Sequence, residues 1–309
     1  MENKKHHNEH NHNQSHVHAH TSLSGSKYLG VILLNICITI AEIIGGIMSG
    51  SLSLLSDAVH NFSDTVSIIF SYFAWKISGK KKDAKKTYGY KRAEIIAAFV
   101  NSSVLVIISL FLIFEAIKRF QNPETINSII MIGVAIVGLL ANFISMLLLE
   151  KESHHNMNIK SSYLHLLGDT LSSVGVVLGG IAIFIWNIFW IDPVITLMIA
   201  VYIMIESWKI VKKSVDILMQ SSAELDYTAI KQDIENFDEV RNIHHVHTWM
   251  SNENTIYFEA HIDITDCLLS QTCFVTDKIE KLLKEKYKID HVTLQIETDR
   301  CSEKDFFKK

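Results

Sequence analysis

The 309-residue chain has no CxxC pair among its four cysteines, Cys37, Cys267, Cys273 and Cys301, and their spacing suggests no disulfide framework, so they read as reduced thiols. Nothing in it resembles a P-loop, which leaves no sign of nucleotide-driven chemistry. No cleavable signal is evident, because the first hydrophobic run is long enough to span a bilayer and no small-residue cleavage motif follows it. A membrane di-metal oxygenase would need several His boxes at the membrane surface, whereas HHVHT stands alone in a strand-like stretch. Excess positive charge is also missing from the C-terminal third. Residues 1–212 hold 17 Lys/Arg against 14 Asp/Glu, but 213–309 hold 12 against 19, a balance of +3 and −7. An acidic surface attracts cations and repels nucleic acid.

What the chain does contain is apolar sequence. It is 48% hydrophobic and 20% charged with only two prolines, too apolar for one soluble domain and too charged for a purely membrane one. Six apolar runs, each near the roughly 20 residues a bilayer demands, fall at about 28–49, 52–77, 93–117, 126–149, 161–186 and 190–211. The expectation is a six-helix transmembrane domain over 27–212 and a second domain over 213–309. The link from Gly79 to Arg92 carries seven Lys/Arg, whereas the turn SGSLSLLSD and the fifth-to-sixth link carry none. The positive-inside rule therefore puts that link in the cytoplasm, and with six spans both termini lie there too, in a multi-pass protein of the cell membrane.

Inside the second run, DAVHNFSD places Asp57, His60 and Asp64 on one side of a helix, where ionisable groups are expensive in lipid. The fifth run repeats the device: in HLLGD, His165 and Asp169 are again four residues apart. Two imidazoles and two carboxylates from two helices can close a four-coordinate cage suited to a zinc-like ion. The shared His-xxx-Asp-Thr core suggests an inverted repeat, with the site at its midplane interface. Gly45, Gly46, Gly50, Gly168, Gly175, Gly179 and Gly180 flank the motifs and suit close helix packing, while Asn35, Glu42, Asn101, Asn142 and Glu206 suit interhelical hydrogen bonding or a pathway.

After Val211 the periodicity changes to a helix, two strands, an amphipathic helix and a strand, giving an αββαβ sandwich of α+β class. Phe258, Ala260, Ile262 and Ile264 share one face of the second strand, and Tyr257, Glu259, His261 and Asp263 the other. His261, with His244, His245 and His247 on the neighbouring strand and Glu297 at the end of the last, suggests a second, cytoplasmic metal site. At the other end of the chain, residues 1–26 hold seven histidines among Asn, Gln, Ser and Lys with almost nothing apolar to bury. That composition predicts a disordered tail, serving as a weak metal collector or having no role.

In the HNFSD and HLLGD helices, the TYGYKRAE segment, the ILMQS junction, HHVHTW and QIE, the chain resembles the cation diffusion facilitators of the zinc-transporting branch. The resemblance covers nearly everything after the His-rich tail. It implies a homodimeric, proton-coupled exporter in the lipid bilayer with a metallochaperone-like cytoplasmic domain and no nucleic-acid partner. Its transport site falls on His60, Asp64, His165 and Asp169, a set that favours zinc, with cadmium and cobalt also candidates. A structural or regulatory zinc in the C-terminal domain falls on His244, His261 and Glu297, although Cys273 and Gln295 stand where some members have further histidines. A family interlock corresponds to Arg92 and Asp216, and the link residue Asp83 lacks the histidines of a link metal site. The expected activity is transport rather than enzyme catalysis; a metal-gated channel, an intramembrane metal sensor and, remotely, the di-metal enzyme are the alternatives.

Overall fold

The computed structural model describes residues 25–153, 157–301 and 304–307, so all but the end of the His-rich tail lies outside the described residues. Six long helices come first: α1 (Gly25–Ser49), α2 (Leu52–Ser78), α3 (Arg92–Gln121), α4 (Ser128–Ser153), α5 (Met157–Trp186) and α6 (Ile191–Leu218). Among the described residues four stretches are long and apolar enough to cross a membrane: Arg92–Gln121, Ser128–Leu147, Leu167–Trp186 and Ile191–Leu218. α1 contains the apolar stretch Leu33–Ser49, and α2 has the length but is interrupted by Asp57, His60, Asp64 and several serines. Large apolar side chains such as Ile107, Phe111 and Phe114 point outward from α3, as a lipid surrounding requires.

The chain forms two compact units. One comprises the described residues up to Ile69 together with Val104–Glu206. Here α1 packs on α4 through glycines: a Cβ on Gly45 would stand 2.6 Å from Val134, and one on Gly138 would stand 2.5 Å from the Glu42 carboxylate. The start of α2 is set by Asp192, a fully buried carboxylate at the head of α6. Its Oδ1 accepts from the hydroxyls of Ser51 and Ser53, both at 2.6 Å, and its Oδ2 from the Leu52 amide at 2.9 Å. Asp192 thus caps α2 from another helix, placing negative charge where orphan amides and the helix dipole favour it.

The other unit comprises Phe70–Ser103 and Ser207–Lys309. α6 continues to Leu218, and α7 (Tyr227–Glu235), β1 (Val240–Asn252), β2 (Thr255–Ile264), α8 (Leu269–Tyr287) and β3 (His291–Glu297) follow. The sheet order is β1-β2-β3, with β1 antiparallel and β3 parallel to β2. The parallel pair needs a crossover, which α8 supplies. Ile230 and Ile234 of α7 and Val275, Ile279 and Leu283 of α8 bury one face of the sheet with Phe258, Ala260, Ile262 and Ile264.

The opposite face is not bare. Tyr257 and Asp263 are almost wholly buried, because other parts of the chain cover them. Tyr88, in the link between α2 and α3, meets Tyr257 edge to face at 5.3 Å, and Trp249 stacks on Tyr257. Lys91 donates to Thr255, and Glu94 accepts from Asn252. Asp83 shapes the link by accepting from the Lys85 and Lys86 amides and the Tyr90 hydroxyl. No ion pair joins Arg92 to Asp216 among the described residues; the segment is held to the sheet by Tyr88, Lys91 and Glu94 instead.

Candidate metal centres

Within the membrane helices, α2 presents His60 and Asp64 one turn apart and α5 presents Asp169. His60 Nε2 lies 2.8 Å from Asp169 Oδ1 and 3.9 Å from Asp64 Oδ2. The ligand-capable atoms of these three residues lie within 4.8 Å of one another. His165 belongs to α5, one turn before Asp169, but its side chain lies outside the described residues. Asp57 does not join this group. It accepts instead from Ser172 at 3.2 Å and Ser173 at 3.1 Å, and Ser173 accepts in turn from Asn142. Glu42 accepts from Asn61, and Asn35 donates to Thr65 and to the Asn61 carbonyl. Asn35, Glu42 and Asn142 are therefore the interhelical hydrogen-bonding residues that hold α1, α2, α4 and α5 around the histidine and its two carboxylates.

The second cluster sits on the sheet face turned away from α7 and α8. His244 and His261 are cross-strand partners, and Glu297 pairs with Asp263 two residues along. A bulge between His244 and His247 puts two residues where one would pair and turns His245 to φ 54°. His244 is consequently buried, while His245 packs its ring 4.5 Å from His261. His245 and His247 lie outside the group whose donor atoms converge: His244, His261, Glu297 and, unanticipated from the sequence, Cys301. His244 Nδ1 lies 3.0 Å from Asn242 Oδ1, an acceptor only, so the proton belongs on Nδ1 and Nε2 carries a lone pair. That lone pair faces Glu297 Oε1 at 2.9 Å, yet both atoms are buried without a hydrogen bond. Two facing acceptors in a dry place repel unless a cation joins them, and the donor set suits a zinc-like ion. Burial pushes the Glu297 carboxyl up, but the Cys301 thiol beside its Oε2 holds it below its ordinary value.

Residues 29–219 match the cation efflux transmembrane domain and residues 223–299 the cation efflux protein cytoplasmic domain. The chain belongs to the cation efflux family. It is 35% identical to zinc transporter ZitB of Pectobacterium atrosepticum, over 91% of this chain and 88% of that protein. It is 36% identical to the cadmium, cobalt and zinc/H(+)-K(+) antiporter of Bacillus subtilis, over 84% and 85%. The metal cation efflux system protein CzcD of Cupriavidus metallidurans is 32% identical over 86% and 84%. Membership in the cation efflux family makes the chain a secondary transporter rather than an enzyme and identifies its C-terminal unit as cytoplasmic.

Against that background, the His60 and Asp169 pairing spans 109 residues of sequence and was legible from two i, i+4 pairs in apolar runs. Cys301 was not legible in the same way. Its one signal is its position four residues after Glu297, just beyond β3, where no helix or strand carries the chain on.

Proposed function

We propose that this cation efflux protein is a proton-coupled antiporter that exports zinc, and also cadmium and cobalt, from the cytoplasm by alternating access. The transported ion is held by His60, Asp64, His165 and Asp169 in a six-span membrane domain, both termini face the cytoplasm, and the active form is a homodimer in the cell membrane. The observation that carries this reading is the approach of His60 Nε2 to Asp169 Oδ1 across two helices, with Asp64 beside them. The relatives named for zinc transport and for proton antiport of cadmium, cobalt and zinc support the choice of cargo and counter-ion.

Chemistry supplies the coupling. Imidazole binds metal only when neutral, so protons and zinc compete for His60 and His165. Open to the cytoplasm, the cage takes a divalent ion; open to the other side, protons displace it. Asp64 and Asp169 offset the ion's two charges, lowering the cost of holding it in low dielectric. The buried pair His244 and Glu297, with His261, forms a separate site for a resident zinc in the cytoplasmic domain. Its support is the two unpartnered atoms that face each other there.

The test is zinc flux in proteoliposomes under an imposed pH gradient. Zinc should move uphill against the proton flow, and an ionophore that collapses the gradient should stop it. Flux that follows only the zinc gradient, whatever the pH difference, would replace the antiporter with a metal-gated channel.

A further inference from the structure

We propose that Cys301 is a fourth donor to the cytoplasmic site, as a thiolate, and that metal binding there fastens the C-terminal segment beyond β3 to the sheet. The proposal rests on the reading of His244, His261 and Glu297 as a metal site and adds a ligand that changes its charge and its metal preference.

Distances come first. Cys301 Sγ lies 3.5 Å from Glu297 Oε2 and 3.9 Å from His261 Nδ1, and His261 Nδ1 lies 3.4 Å from Glu297 Oε2. A tetrahedral ion with zinc bond lengths would separate its N and O donors by roughly 3.3 Å and a sulfur from either by about 3.6 Å. The cluster is thus near the required edges before any ion enters. A lone cysteine would mean little, but this one borders the buried His244 Nε2 and Glu297 Oε1, which have no hydrogen-bond partner.

Charge comes second. Two imidazoles and one carboxylate around a dication leave one positive charge in a largely dry site, which is costly. A thiolate brings the set to neutrality. On binding, the Cys301 S–H bond breaks, a sulfur–metal bond replaces it, and the proton leaves to water; without metal that proton can be shared with Glu297 Oε2. An N2OS set with no open position marks a structural, resident ion and favours zinc and cadmium over magnesium or manganese.

The segment that carries Cys301 is already seated on the same face. The Asp299 amide donates to Asp263 Oδ1, Lys304 pairs with Asp263, and the amides of His245 and Val246 donate to the carbonyls of Asp305 and Phe306. Past the β1 residues it bonds, the segment reaches the α7 side, where Phe306 meets Tyr227 at 6.2 Å. An ion held by β1, β2, β3 and Cys301 would tie this segment to all three strands.

The experiment uses the full chain, purified and loaded with Co(II), beside its Cys301→Ser and His244→Ala variants, with size-exclusion profiles checking that each remains folded. A thiolate ligand gives a near-ultraviolet sulfur-to-cobalt charge-transfer band, to which the sulfur-free membrane cage contributes nothing. The band should appear in the wild type, vanish in both variants, and be accompanied in Cys301→Ser by cobalt binding roughly ten- to a hundredfold weaker at this site. A band that persists in Cys301→Ser overturns the proposal. So does a wild type without the band, and His244→Ala then separates the two readings: loss of one bound cobalt leaves the cytoplasmic site standing without Cys301, whereas unchanged binding removes the site itself.

Discussion

His60 is the residue on which the transport reading turns, because it is the imidazole that the structure places between two carboxylates from different helices. His60→Ala, Asp64→Ala, His165→Ala and Asp169→Ala should each abolish zinc flux in proteoliposomes while size exclusion and circular dichroism stay as in the wild type; near-normal flux in any two sinks the assignment. Selectivity follows from donor type. His60→Asp makes the set one nitrogen donor and three carboxylates, and the shorter side chain widens the cage or admits water, which suits larger, higher-coordinate ions. Competitive flux should shift from zinc toward cadmium or manganese, and an unchanged ratio would mean that His60 does not hold the cargo. At this scale the sequence was readable where spacing alone brings side chains together, as in His60 and Asp64. Asp57, three residues before His60 on the same side, accepts from Ser172 and Ser173 instead, because which neighbour faces a helical residue is decided by packing that spacing does not encode.

Among the elements, α2 depends on a cap supplied from outside itself. Removing the Asp192 carboxylate leaves the Leu52 and Ser53 amides and two hydroxyls without their acceptor, so Asp192→Ala should cost about 2 kcal/mol or more in thermal or denaturant unfolding in detergent. Loss of stability no larger than that of Asp226→Ala, which removes the N-cap of the short helix α7, would show that the cap carries less than its burial suggests. In the cytoplasmic unit, burial pushes the Asp263 carboxyl up, but Lys304 and the Asp299 amide more than offset this and hold it below its ordinary value. A depressed carboxyl stabilises the fold fully above its unfolded value, ordinarily near 3.9, and loses that contribution as pH falls through the lower folded value. Wild-type stability should therefore fall with acid in that range more steeply than that of Asp263→Asn, as read by unfolding midpoints at a series of pH values. The strand faces of β2 were legible from alternation, since Phe258, Ala260, Ile262 and Ile264 are all buried. The cover on the other face was not, because Tyr88 and Lys304 arrive there from distant stretches that carry no periodic signal.

For the whole molecule, the proposed cage of His60, Asp64, His165 and Asp169 draws no ligand from the His-rich tail. Deleting residues 1–22 should change zinc flux only modestly, because a metal-collecting tail raises local concentration without supplying a cage ligand; complete loss of flux would show that the tail takes part in the transport step. The link between α2 and α3 is of another kind. With Tyr88 set against Tyr257 and Trp249, and Lys91 and Glu94 bonded to the β1–β2 hairpin, it is a clamp rather than a slack tether. The end of α2 at Ser78 is ten residues from that clamp. Tied at Asp83 by its own turn and at Tyr88 by the sheet's aromatic rings, those ten residues have little slack to stretch or slip.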